Sequence, residues 1–140
     1  MSLIPDGAFG ERARQRLRDE QLIWLTTVGA DGTPQPNPVW FLWDGAQTVL
    51  IYNRSDALRL GHLDARAEVA LHLDGDGRGG NIVVLTGTAR RAYHVSAAHE
   101  NAAYVTKYGD AMTRVSGSHA QFADAYPVAP EIDIRRVRGH

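Results

Sequence analysis

Prolines stand at every second position, Pro34, Pro36 and Pro38, directly before the apolar run Val39-Trp40-Phe41-Leu42-Trp43. A proline has no N–H to donate, so Gln35 to Trp43 cannot begin as a regular central strand. It is expected to enter at a sheet edge or through a bulge and to become regular only over Val39–Trp43. The neighbouring segments repeat the theme of short strands joined by turns. Leu22 to Val28 reads as a strand, Ala30-Asp31-Gly32 as a turn, Asp44-Gly45 as a second turn and Thr48–Tyr52 as the next strand. Glu68–Asp74 alternates with Val69, Leu71 and Leu73 on one side, and Gly75–Gly80 then turns the chain into a long strand, Asn81 to Tyr93, with Gly87 marking a bend. A last strand carries Ile132 and Ile134 and runs into Arg135-Arg136-Val137-Arg138.

Helices are expected at the front, middle and back. Phe9, Ala13 and Leu17 repeat every four residues over Phe9 to Glu20. Ser55 is placed to cap a helix ending near Asp64, and Ser96 a helix to Tyr108 with Gly109 as its stop. Ser118-x-x-Gln121 forms a capping box for a short helix before Pro127. Hairpin-linked strands argue against a parallel sheet built from strand–helix–strand units. The expected fold is mainly β within the α+β class: a small antiparallel barrel or half-barrel of about six strands with peripheral helices, in one domain spanning 1–140.

Composition narrows the chemistry. Fifteen basic residues face sixteen acidic ones, for a net charge of −1, and this gives no basic field for nucleic acid. The absence of cysteine excludes disulfides, thiolate metal sites and iron–sulfur clusters. The longest apolar runs are too short to span a bilayer, and the start shows no secretory pattern, so a cytoplasmic location without membrane contact is expected.

Motif candidates mostly fall away. Gly75-Asp76-Gly77-Arg78-Gly79-Gly80 lies between two strands, so it lacks the helix that a dinucleotide-binding fingerprint needs. Asp74-x-Asp76 lacks later calcium ligands, with Arg78 and Leu85 where acceptors are required. The six histidines show no metal-ligand spacing, and no metal is expected. No Gly-x-Ser-x-Gly elbow occurs. The acids Asp44, Asp64, Asp74 and Asp76 fall in turns or element ends rather than in a catalytic pair.

Two segments remain. In Gln35-Pro36-Asn37-Pro38-Val39-Trp40-Phe41, an irregular start would leave backbone groups free for the polar edge of a planar ligand; the plain alternative is an edge strand protected by proline. In Tyr52-Asn53-Arg54-Ser55, followed by Arg59, a capping serine, free helix N–H groups and two guanidiniums suit a phosphate; the alternative is a solvated basic helix start.

Together these residues resemble the flavin- and deazaflavin-dependent split β-barrel oxidoreductases related to pyridoxamine-phosphate oxidase. The resemblance runs through Leu25-Thr26-Thr27-Val28, Asp31-Gly32-Thr33-Pro34-Gln35-Pro36 and Pro38-Val39-Trp40-Phe41. It continues in the Arg59 helix, Val69-Ala70-Leu71-His72, Val84-Leu85-Thr86-Gly87-Thr88-Ala89 and Lys107-Tyr108-Gly109. It is nearest to the branch that uses coenzyme F420, and it implies an FMN-binding split-barrel fold and a homodimer with each cofactor between subunits. Gln35, Pro38 and Val39, with Asn37 and Trp40 in the same segment, then lie beside the tricyclic ring. Tyr52, Asn53, Arg54, Ser55 and Arg59 cradle the phosphate, and Asn81 and Ile82 reach the cofactor from a neighbouring strand. Arg59 stands where the branch often has lysine, and Ala57 leaves empty a position that is sometimes basic. The implied activity is hydride transfer between reduced F420 and a small conjugated or aromatic acceptor. The alternatives are an FMN-dependent oxidase or reductase and a non-catalytic flavin- or tetrapyrrole-binding protein. Tyr104, Lys107 and Tyr108 are candidate substrate contacts; against that stand a core role for the aromatics and a solvated helix end for Lys107. No general acid is evident.

Overall fold

The computed structural model describes residues 3–140. Helix α1 (Ala8–Asp19) opens the fold and buries Ala13 and Leu17 on one face. The strands are β1 (Ile23–Val28), β2 (Pro34–Val39), β3 (Leu42–Trp43), β4 (Thr48–Leu50), β5 (Glu68–His72), β6 (Val83–Arg91) and β7 (Pro130–Gly139). They form one antiparallel sheet in the order β2-β1-β5-β6-β7-β4-β3. Helix α2 (Leu58–Ala65) links β4 to β5; a 3-10 turn (Ala98–Glu100), α3 (Ala102–Ser116) and α4 (His119–Ala125) lie between β6 and β7. The curled antiparallel sheet with four helices is the expected α+β split barrel, with seven strands in place of about six.

The extra strand arises because the proline-led segment is built the other way round from the expectation. Its regular part is Pro34–Val39, paired with β1 along its whole length at the sheet edge. Since prolines cannot donate, the ladder bonds to β1 run through Gln35, Asn37 and Val39, and Pro34, Pro36 and Pro38 turn their backbone to the open side. The break comes later, at Trp40-Phe41, between β2 and β3. There the Phe41 N–H donates to the Tyr108 hydroxyl at 2.9 Å, and the Phe41 carbonyl accepts from Lys107 Nζ at 3.0 Å. The Tyr108 hydroxyl lies 2.8 Å from the Gln21 carbonyl, to which it donates.

Helix boundaries also differ from expectation. Ser55 caps nothing: α2 starts after Ala57, whose extended backbone carries no side-chain cap. Ser96 precedes the 3-10 turn, and Asn101 caps α3 by accepting from the Tyr104 N–H. Gly109 lies inside α3, which ends at Gly117, where φ is 95°. Ser118 does cap α4, and the expected bend at Gly87 is a register shift in the β6–β7 ladder. A Cβ at Gly87 would lie 2.2 Å from the Asp133 carbonyl oxygen, so only glycine fits there.

Two buried clusters result. The first is mostly aliphatic, fills the barrel and includes Leu17, Ile23, Leu25, Leu71, Leu85, Ile132 and Ile134. The second lies under α3 and α4 and holds Tyr52, Tyr104, Tyr108, Met112 and Phe122. Among the described residues no helix is long and apolar enough to cross a membrane. Replacing Tyr108 by Phe leaves the buried Phe41 N–H without an acceptor, so Tyr108→Phe is expected to cost about 1–3 kcal/mol in urea unfolding. An unchanged unfolding midpoint would show that the break does not depend on this hydroxyl.

Candidate functional site

The second cluster is not closed. A cavity of about 290 Å³ opens beside it, walled by Pro38, Val39, Trp40, Tyr52, Arg59 and Tyr104. Leu22, Val115, Phe122 and Tyr126 complete the lining. Leu22 and Val115 in this lining are 46% and 55% exposed.

The break at Trp40 makes the aromatic wall. Its ring stacks on Tyr108 at 4.8 Å and on Phe122 at 5.4 Å, and Phe122 stacks on Tyr126 at 4.4 Å. Tyr52 meets the Tyr104 ring edge-on at 4.7 Å. The Tyr52 hydroxyl donates to the Ser96 carbonyl at 2.7 Å and accepts from Asn101 at 3.1 Å, so the residue that caps α3 also fixes this wall.

Arg59 is the cation of the cavity. It comes from the first turn of α2, and one guanidinium nitrogen donates to Asn53 Oδ1. Asn53 is held rigidly: it exchanges backbone hydrogen bonds with Val128 at 2.6 and 3.1 Å, and its amide donates to the Ile51 carbonyl at 3.0 Å. Arg59 Nε is buried with no partner. Burial pulls the guanidinium below its ordinary pKa with no compensating carboxylate, yet arginine stays charged in proteins. The Tyr104 hydroxyl is likewise buried and unpartnered, and burial drives its pKa upward, so it stays protonated as a donor. Burial raises Tyr52 as well. The cavity is therefore walled by aromatic rings and by Arg59, whose charge no carboxylate compensates, a set matched to a planar ligand with an anionic or acceptor group.

The other sequence candidates scatter around this cavity. Arg54 is exposed near its rim, 6.0 Å from the Tyr126 ring and paired with Asp56 at 3.4 Å. Ser55 lies in the exposed turn after it. Gln35 and Asn37 stay on β2, exposed and half-buried. Asn81 and Ile82 are elsewhere: Asn81 has φ 57° and its carbonyl accepts from Arg16 at 2.6 Å, while Ile82 exchanges hydrogen bonds with His140. Tyr108 is fully buried behind Trp40. Lys107 lines a different groove, with its Nζ 3.7 Å from the centre of the Phe41 ring. Sequence reasoning missed Leu22, Val115, Phe122 and Tyr126. The signal for Val115 was its place on the Tyr104, Tyr108, Met112 face of α3, and for Phe122 and Tyr126 their four-residue spacing. Among the described residues, no group of His, Asp and Glu could hold a metal ion.

A model of the pyridoxamine 5'-phosphate oxidase family matches residues 9–140. No curated protein matches the sequence. Among solved structures, an F420 reductase is 21% identical over 96% of this chain and 98% of that one, with a TM-score of 0.68. HutZ, the heme storage protein from Vibrio cholerae, is 11% identical over 99% and 95%, with a TM-score of 0.63. A heme binding protein from Mycobacterium smegmatis is 18% identical over 96% of this chain and 55% of that one, with a TM-score of 0.68. Likeness at these identities is likeness of fold.

Lys107 gives the region a distinctive pH dependence. Burial lowers its pKa to about 8 against Asp19 and Glu20, which favour the cation, as does the Phe41 ring face. The unfolded chain then binds more protons than the folded one from about pH 8 up to the ordinary lysine range, so this group makes stability rise with pH. Tyr52, Tyr104 and Tyr108 act oppositely above the ordinary tyrosine pKa, because the folded chain keeps their protons. The stability of the native chain relative to Lys107→Met, from urea midpoints, should grow between about pH 8 and 10. A difference independent of pH would contradict this.

Proposed function

This chain belongs to the pyridoxamine 5'-phosphate oxidase family, and from that premise we propose that it is an oxidoreductase that binds coenzyme F420 in the aromatic cavity. The observation that carries the proposal is Arg59: a buried guanidinium with an unpartnered Nε, set in an aromatic wall and bonded only to a rigid neutral Asn53. That arrangement is costly until an anion arrives, and a phosphate on a stacked ring system satisfies both the charge and the surrounding faces. Arg54 at the rim, held only by an exposed pair with Asp56, is a second cation available to the acidic tail of F420, which FMN with its compact phosphate does not need. The F420 reductase of the same fold is consistent with this reading. The heme-binding relatives support a tetrapyrrole alternative, but no histidine lines the cavity to serve as an axial ligand.

In this reading Arg59 holds the phosphate, Asn53 orients the guanidinium, and Trp40 and Val39 exclude water from one ring face. Pro38, at the end of the acceptor-only edge of β2, closes the wall. A bound deazaflavin supplies hydride chemistry at its central ring, toward a small conjugated or aromatic acceptor. Tyr104 packs in the wall, and its buried hydroxyl keeps its proton at neutral pH. A volume near 290 Å³ is at the lower end for a ligand site, so a second copy is proposed to complete it, covering Leu22 and Val115 at the mouth.

Fluorescence titration with oxidised F420 and, separately, FMN tests the assignment. Micromolar binding of F420 is expected, weakened roughly 10–100-fold by Arg59→Ala through loss of a charged hydrogen bond. Preference for FMN would move the chain to the flavin-dependent alternative. Heme binding without either would establish the tetrapyrrole reading. Sedimentation equilibrium should return a dimer, and a monomer that still binds cofactor tightly would refute the shared site.

A further inference from the structure

Lys107 is the only lysine in the sequence; every other member of the fifteen lysines and arginines is arginine. Arginine cannot give up its proton in a protein, whereas lysine can. This one lysine lies half-buried on α3 with no carboxylate in ion-pairing range, its Nζ against the Phe41 ring at 3.7 Å and the Phe41 carbonyl at 3.0 Å. It borders a groove of about 480 Å³, separate from the aromatic cavity and also lined by Gln21, Thr106, Arg114 and His119. His119 places Nε2 3.0 Å from the Gly109 carbonyl, and Asp110 is the one carboxylate in the lining.

We propose that Lys107 is an acylation site for small acyl phosphates, with Arg114, two turns along α3 on the same groove, reaching back to receive the phosphate. An uncharged amine can keep one N–H on the Phe41 carbonyl and leave its lone pair free to attack. The new Nζ–C bond forms as the C–O bond to phosphate breaks, phosphate departs with that electron pair, and the amine proton passes to water. The product amide retains an N–H for the Phe41 carbonyl, so the acylated chain keeps its fold. Arg114, exposed on α3, offers a planar set of donors to the phosphate oxygens.

The lowered pKa adds rate. At pH 8 about half of the Nζ population is neutral, against under ~1% for an ordinary lysine. Reduced basicity takes back part of that gain and leaves a net advantage of roughly tenfold. The test incubates the folded protein with acetyl phosphate at pH 8 and maps acetylation by peptide mass spectrometry. Acetylation at Lys107 is expected roughly tenfold faster than in the same chain unfolded in urea, with the α-amino terminus, the other amine that reacts at pH 8, followed separately in its own peptide. Arg114→Gln should slow the reaction with acetyl phosphate several-fold but leave the reaction with a neutral aryl ester, p-nitrophenyl acetate, unchanged. Equal rates in folded and unfolded chains would overturn the site. Equal slowing with both donors would overturn the role of Arg114.

Discussion

Phe41 occupies a gap between two strands, and a buried gap in a sheet leaves an N–H and a carbonyl that must find other partners or cost the desolvation of both. Here α3 supplies them: the Tyr108 hydroxyl takes the N–H and Lys107 meets the carbonyl. One turn of a helix far along the chain thus holds the segment between β2 and β3 in a broken conformation. Without the break, Trp40 would continue the alternation of β2. With it, the indole swings onto Tyr108 and Phe122 and becomes a cavity wall. The site is therefore a property of long-range packing and cannot be assigned to the proline-led strand alone.

The division between the two clusters fits this arrangement. The barrel core is dominated by aliphatic side chains, whose burial contributes stability without needing partners. The cluster beneath α3 and α4 is aromatic and carries polar atoms that folding leaves unsatisfied, Arg59 Nε and Tyr104 Oη. Each such atom costs stability in the empty chain. Two other such atoms, Asn81 Oδ1 and Glu131 Oε1, lie outside the cavity lining, but only Arg59 brings a positive charge, and it does so on the cavity wall with a rigid Asn53 behind it.

Much of this was legible in the sequence, and the failures have physical causes. The alternation of Val69, Leu71 and Leu73, the bend at Gly87 and the Ser118 cap depend on local geometry and could be read directly. Ser55, Ser96 and Gly109 carry equally good local signals but lie in the wrong places. A serine caps only where the incoming chain is extended immediately before the first turn, and Ala57 and Asn101 hold those positions. Gly109 lies in the middle of α3 facing His119 of α4, where a Cβ would make ordinary contact, so helix continuation was decided by packing and not by the glycine. The cavity drew Arg59, Tyr52, Pro38, Val39, Trp40 and Tyr104 from the sequence candidates. Leu22 was missed because a single exposed apolar side chain carries no signal until the surface around it is known, whereas Val115 could have been found from the helical face it shares with Tyr104, Tyr108 and Met112.

Lys107 and Trp40 are coupled through the same peptide. The ammonium touches the carbonyl and ring of Phe41, and the next residue back is the indole that walls the cavity. A cation there is held by three weak attractions, a carbonyl, a ring face and the distant charges of Asp19 and Glu20, against the cost of burial. An arginine could keep a donor on the carbonyl, but its larger planar head would need more room in the same place and could never become neutral. A lysine allows the charge to be removed while the hydrogen bond stays. The backbone break would then persist, and only the electrostatic pull on the ring behind Trp40 would change. Chemistry in the Lys107 groove is thus positioned to alter the aromatic cavity through one shared residue, without any rearrangement of the sheet.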